Sequence, residues 1–230
     1  MQYPAKAALE SKYIDEVWVA TDSRAISNVV LDLGHQGKLY VYKRSEESAQ
    51  DNSNSEDVLL EFTSKYHKHG FSGKNFDLMV FMQCTSPLTT TEDIDGGIEL
   101  LESCDDIDSV ISGCEDHGGW LCGGFTWEEE IRMSQFEGAP RKTAVRITPY
   151  SHQRQNAPKR YRENGAFYIT SRQNLRKDKS RLSGNIKFYE MPKSRSFEVD
   201  TQEDLNLLRS LSPRAELQTA PELDDYIVGL

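Results

Sequence analysis

The stretch that most constrains this 230-residue chain is Asp77 to Leu88, where Leu78-Met79-Val80-Phe81-Met82 runs directly into Gln83-Cys84-Thr85-Ser86-Pro87-Leu88. A short unbroken apolar run suits a parallel strand covered on both faces, and Pro87 cannot donate to a continuing ladder. The strand therefore delivers hydrogen-bonding groups to its carboxyl end, where open α/β sheets hold their ligands. The same residues also fit a strand leaving the core through an ordinary polar turn. Other segments must decide between the two.

Helix and strand patterns alternate on both sides of this run. A short helix at 5–11 precedes a strand at Glu16-Val17-Trp18-Val19-Ala20, with Thr21 or Asp22 placed to cap the next helix. That helix, 23–33, carries Ile26, Val29, Val30 and Leu33 on one face, and Gly34 closes it. A strand at 38–43, a helix at 55–67 with Val58, Leu59 and Phe62 inward, a helix at 91–103 and a strand at 109–112 continue the rhythm. Repeated βα units predict a three-layer α/β fold with a mostly parallel sheet.

Beyond residue 113 the rhythm breaks. Gly118-Gly119 and Gly123-Gly124 flank Trp120, so an irregular excursion over 114–150 is expected, able to form a hairpin arm. The sheet resumes at 166–170 and 186–190, and a last helix starts near Thr201 with Glu203 and Asp204 in its first turn. The domain therefore spans 1–211. The proline-containing acidic tail, 212–230, is expected to be loosely attached.

A net charge of −10 argues against general nucleic-acid binding, which needs a basic surface to neutralise phosphates. The exception is local: Arg141, Lys142, Arg146, Arg154, Lys159, Arg160 and Arg162 lie in a stretch without a carboxylate. Such a patch suits a small, highly charged anion, and equally a solvated loop paired with the acidic stretches at 102–108 and 128–130. No apolar stretch reaches membrane-spanning length, and Met1-Gln2-Tyr3-Pro4 starts neither a signal nor a transit peptide. Four cysteines without such a signal read as reduced thiols of a cytosol-like compartment. The spacing of Cys114, His117 and Cys122 matches no usual zinc pair.

Doubly wound nucleotide-binding domains place a glycine-rich phosphate loop after their first strand. Only four residues precede the first predicted helix here, and none of the fifteen glycines comes before Gly34. The first strand and its loop are thus expected to be missing, through a fragment, a misplaced start or a real loss.

Five segments together resemble the N-acylneuraminate cytidylyltransferases, or CMP-sialic acid synthetases. They are Val17 to Ser23, Lys43-Arg44 through Asp51 to Ser55, Gln83 to Leu88, Arg162-Glu163-Asn164-Gly165-Ala166-Phe167-Tyr168, and Ser196-Phe197-Glu198-Val199-Asp200-Thr201. The resemblance covers nearly the whole chain and implies a fold similar to nucleotide-diphospho-sugar transferases. It also implies that the anomeric hydroxyl of a nonulosonic acid attacks the α-phosphate of CTP, giving the CMP-sugar and pyrophosphate. The close enzymatic alternative is CMP transfer to a pseudaminic, legionaminic or KDO-type acid. A non-catalytic sugar-acid-binding remnant is the alternative of another class.

The site roles follow from the resemblance. Glu198 and Asp200, two apart on an expected strand, would face one Mg²⁺, with Glu198 standing where the family more often has aspartate. Gln83, Thr85 and Ser86 would hydrogen-bond the sugar, Asn164 would join them in binding it, Tyr168 would flank its acyl group, and Arg154, counted with Glu198 and Asp200 as catalytic, would hold its carboxylate. Arg162 matches a basic position at a dimer-shared site. Arg44, Asp51 and Ser55 match positions near the cytosine base. The local alternatives are that Ser55 caps a helix, that Asn164 is a turn residue before Gly165, and that Asp200 and Thr201 cap the last helix. The excursion would form the contact of a homodimer. The compartment implied is the cytoplasm, or the nucleus for an animal member.

Overall fold

A computed structural model of the chain describes residues 2–33, 37–46, 48–49, 53–69, 76–115, 125–129, 142–146 and 161–211. Two compact units emerge, one built from 1–114 and 163–230 and the other from 115–162.

The larger unit opens with helix α1 (Gln2–Glu10), strand β1 (Val17–Thr21), helix α2 (Arg24–Asp32) and strand β2 (Leu39–Lys43). Helix α3 (Ser55–His69) leads to β3 (Leu78–Met82), and α4 (Thr91–Glu102) leads to β4 (Ser109–Glu115). The smaller unit holds β5 (Phe125–Glu129) and β6 (Lys142–Arg146), paired antiparallel. The chain then runs through β7 (Tyr161–Ser171), α5 (Arg172–Asp178), β8 (Ile186–Glu190), a 3₁₀ turn at Lys193–Arg195 and α6 (Gln202–Leu211).

The parallel sheet foreseen from the sequence is in fact divided and mixed. β1 and β2 form a parallel pair. β3, β7, β4 and β8 form a second sheet in that order, with β3–β7 antiparallel and β4–β8 parallel. β7 is the long strand the sequence showed only from Ala166, and α5 was not foreseen because seven residues carry too little periodicity to read.

The same two layers of side chains cover both sheets. Ala8 of α1 and Ile94, Ile98 and Leu101 of α4 pack with Val17, Leu78, Val80 and Met82 on one face. Phe62 and Tyr66 of α3 pack with Trp18, Tyr42 and Met79 on the other. Alternation along each strand sends successive side chains to opposite faces, which is why neighbours in sequence join different clusters.

Local chemistry starts the helices. The Ser23 side chain accepts from the Ile26 N–H and caps α2, displacing Thr21 and Asp22 from that role. Thr90 and Asp93 form a reciprocal capping box at α4. Asn54 does the same with Asp57 at α3, at 2.8 and 3.2 Å, so Ser55 is the first helical residue and not the cap. Among the described residues no helix is long and apolar enough to cross a membrane. The tail 212–230 lies outside the described residues.

Candidate active site

The Gln83–Leu88 turn follows β3, and the Glu198–Asp200 segment runs beside it. The Val199 N–H donates to the Thr85 carbonyl at 2.8 Å, fixing the two stretches edge to edge. The 196–200 segment is irregular and not the strand expected from sequence, because this single bond is not continued into a ladder. Gly165 brings the side chains together. Its φ is +62°, and a Cβ built there would collide with Glu198 Oε1 and Gln83 Oε1, so only glycine fits both the backbone and the space.

Below this rim lies a polar network with every member engaged. Asn164 is fully buried: its Oδ1 accepts from Ser112 Oγ at 2.8 Å and from the Ala166 N–H at 3.3 Å. Its Nδ2 donates to Ser196 Oγ at 2.9 Å and to Met191 Sδ at 3.2 Å. Buried Ser86 donates to the Asn164 carbonyl at 3.1 Å. These bonds tie the turn, β7, β4 and the 196–200 segment to one another, and they use all four hydrogen-bonding positions of the Asn164 amide and the proton of the Ser86 hydroxyl. The two residues expected to touch sugar therefore hold the framework of the site.

Tyr168 is likewise buried, its ring 5.9 Å from Phe81 and its hydroxyl donating to Glu163. The Arg181 guanidinium stacks 4.3 Å above that ring and pairs with Glu56 at 3.4 Å.

A second tie was missed from sequence. Arg195 forms a two-point pair with Asp93, Nε to Oδ2 at 2.9 Å and Nη2 to Oδ1 at 2.7 Å. It anchors the 3₁₀ turn, and so the Glu198 segment after it, to the start of α4. The Thr90-x-x-Asp93 spacing was the legible half of this arrangement; a partner 102 residues away was not. At α6 the Thr201 and Asp204 side chains cap each other's N–H groups at 2.9 and 3.2 Å. The Thr201 hydroxyl, with backbone N–H groups behind it, holds the Asp204 carboxyl below its ordinary range. Thr201 is thus the cap, and Asp200 takes part through its backbone N–H only.

Gln83, Thr85 and Asp200 line a cavity of about 1990 Å³, together with Arg44 and Ser55. The Arg44 N–H donates to the Thr21 carbonyl at 3.2 Å and its guanidinium to the Ser48 carbonyl, while its Nε is buried without a partner among the described residues. Five of the expected site residues thus share one cavity, and Glu198 is not among the residues that line it. Arg162 is exposed at the start of β7, in the smaller unit. Asp51 and Arg154 lie outside the described residues.

A family model described as cytidylyltransferase matches residues 1–227. The chain belongs to the cytidylyltransferase family. This cytidylyltransferase is 28% identical over 200 residues to N-acylneuraminate cytidylyltransferase A of Danio rerio, covering 86% of this chain and 41% of that protein. It is 28% identical over 202 residues to an N-acylneuraminate cytidylyltransferase of Streptococcus agalactiae, covering 86% of this chain and 43% of that one. The chain spans about two fifths of the length of these curated relatives. A solved structure of a CMP:2-keto-3-deoxy-manno-octonic acid synthetase complexed with CTP superposes with a TM-score of 0.57 at 20% identity. It covers 91% of this chain and 86% of that one, and shows that the cytidylyltransferase shares its α/β fold.

Proposed function

We propose that this cytidylyltransferase moves CMP from CTP to the anomeric hydroxyl of a nonulosonic acid of the N-acylneuraminate class. The observation that carries the reading is the Val199 to Thr85 bond, which sets the Glu198 and Asp200 segment against the Gln83 turn over Gly165. The names of the curated relatives supply the substrate class.

The reaction joins the sugar oxygen to the α-phosphorus, breaks the bond to the β-phosphate oxygen, releases pyrophosphate and gives up the hydroxyl proton. Little covalent work falls to the protein; positioning and charge stabilisation do most of it. Arg44 and Ser55 sit on the nucleotide side of the cavity, and Gln83 and Thr85 present amide and hydroxyl groups to the sugar. Asn164, Ser86 and Tyr168 act by holding those presenters in place. Asp51, Arg154 and Arg162 keep their proposed contacts with base, carboxylate and partner subunit.

Glu198 and Asp200 fit a Mg²⁺ ion. This metal takes one or two carboxylates and fills its shell with water and substrate phosphate, and Glu198 and Asp200 flank the Val199–Thr85 bond as the two carboxylates that would hold it. When bound it would neutralise charge building on the phosphate oxygens.

The test is pyrophosphate release from CTP with Mg²⁺, using N-acetylneuraminate and, in parallel, a KDO-type acid. Turnover with N-acetylneuraminate that falls at least a hundredfold in Asp200→Asn is the expected result. Turnover with the KDO-type acid alone moves the chain to the other branch. Binding of the sugar without turnover, in a chain that carries the family's full length, makes it a binding remnant.

A further inference from the structure

Glu61, on α3, meets the turn that follows β2 with a carboxylate that is only 13% exposed. Tyr42 Oη donates to its Oε1 at 2.9 Å and Ser45 Oγ to its Oε2 at 2.9 Å, and the Lys65 ammonium donates to Oε1 as well. An ionised carboxylate accepts and never donates, so its charge draws all three donors together.

Those donors come from elements with unequal support. α3 is fixed by the core: Phe62 and Tyr66 are buried, with the Phe62 ring 5.2 Å from Tyr42 and the Tyr66 ring 5.1 Å from Phe76. The turn lies beyond the ladder, because β2 ends at Lys43 and the Arg44 N–H makes the last bond to β1, at the Thr21 carbonyl. From there the Ser45 hydroxyl works in both directions. It donates to Glu61 and accepts from the Ser48 N–H at 3.3 Å, while the Ser45 carbonyl accepts from the Ala49 N–H at 3.0 Å. The Ser48 carbonyl, held by this turn, accepts from the Arg44 guanidinium.

A relay therefore runs from α3 through Ser45 and Ser48 to Arg44. Its last acceptor is a neutral carbonyl, which orients the guanidinium without cancelling its charge. α3 also begins with Ser55, which lines the cavity beside Arg44, so both side chains on the nucleotide side are referred to one helix. A carboxylate withdrawn from water returns little stability over a well-packed apolar residue, and its best-attested use is to fix a single geometry.

We propose that Glu61 is a positioning residue for the nucleotide: through Ser45 and the Ser48 carbonyl it sets the direction in which Arg44 presents its guanidinium to CTP. The inference rests on the nucleotide-side reading of Arg44 and adds the residue that aims it.

The experiment is a calorimetric titration of CTP into the wild-type chain and into Arg44→Ala, Glu61→Gln, Ser45→Ala, Ser45→Thr and Lys65→Met, with the urea midpoint of each recorded alongside. Arg44→Ala, Glu61→Gln and Ser45→Ala should each raise the Kd for CTP about tenfold, the loss of one charge-assisted hydrogen bond. Ser45→Thr keeps the hydroxyl and should restore binding to within about twofold. Lys65→Met removes a half-exposed donor on the helix side, so it should lower the urea midpoint and leave the Kd within about twofold. Glu61→Gln added to Arg44→Ala should weaken CTP no further, since the two are links of one relay. Where Glu61→Gln does not fold, Ser45→Ala carries the same test.

An affinity that Arg44→Ala lowers but Glu61→Gln and Ser45→Ala leave unchanged overturns the proposal and spares the reading of Arg44. Losses that multiply in the double variant, or an equal loss in Lys65→Met, overturn it too, because Glu61 would then act on the fold at large. Unchanged binding in Arg44→Ala, or no binding by the wild-type chain, removes the nucleotide-side reading and this inference with it.

Discussion

β3 and β7 are hydrogen-bonded neighbours with opposite relations to composition. β3 is wholly apolar and half-buried throughout; β7 carries Asn164, Gly165 and Thr170, yet from Asn164 to Thr170 it is buried. The difference lies in their flanks. β7 sits between β3 and β4, while among the described residues β3 has a strand partner on one side only. Burial of a strand is thus decided by its neighbours, and an asparagine can lie deeper than a valine when four hydrogen bonds satisfy it.

The comparison is sharpest at one cross-strand pair, Val80 opposite Ile169. Ile169→Ala removes a fully buried side chain and should cost about 4 kcal/mol, read as a shift in the urea midpoint. Asn164→Ala should cost about 3 kcal/mol, because it strands the Ala166 N–H and cuts the links to Ser112 and Ser196, which keep only Phe167 and Pro192. A loss below 1 kcal/mol would show that the network under the site is dispensable.

On the half-open side, polar contacts carry more of the load. Burial would raise the Glu61 carboxyl, but hydrogen bonds from Lys65, Ser48, Tyr42 and Ser45 outweigh it and hold the group at about 2. Its contribution is present above the ordinary value of 4.5 and lost as pH falls from there toward 2. Glu61→Gln should therefore cost about 2 kcal/mol at pH 7 and almost nothing near pH 2. A penalty that stays constant with pH would mean that lost packing, not lost charge, is responsible. Val80→Ala should be the mildest, about 1 kcal/mol, since its side chain is already partly in water. Equal losses at Val80 and Ile169 would erase the contrast between the strands.

Much of this was legible along the chain. The βα rhythm, the β3 run, the Gln83 turn and the start of the last helix could be read because each rests on periodicity or capping within a few residues. Arg44, Ser55, Gln83, Thr85 and Asp200 do share a cavity. Less legible was which motif residues are bound into the framework. Ser86, Asn164 and Tyr168 have the polar groups a sugar site needs, but those of Ser86 and Asn164 are turned inward to one another, Ser112 and Ser196, and the Tyr168 hydroxyl is engaged by Glu163. The Arg195–Asp93 clamp and the Arg181 stack over Tyr168 join residues far apart in sequence, so no local pattern announces them.

The sequence by itself determined most of the elements, the family and the Gln83 turn at the carboxyl end of β3, since local periodicity and short motifs suffice for these. The tertiary structure alone decided that the sheet is divided, that β7 runs against β3, and that Ser86 and Asn164 are bound into the buried network while Gln83 and Thr85 line the cavity. Those outcomes depend on which backbone edges find partners and which polar groups find each other across the fold, and both are set by contacts between residues distant in the chain.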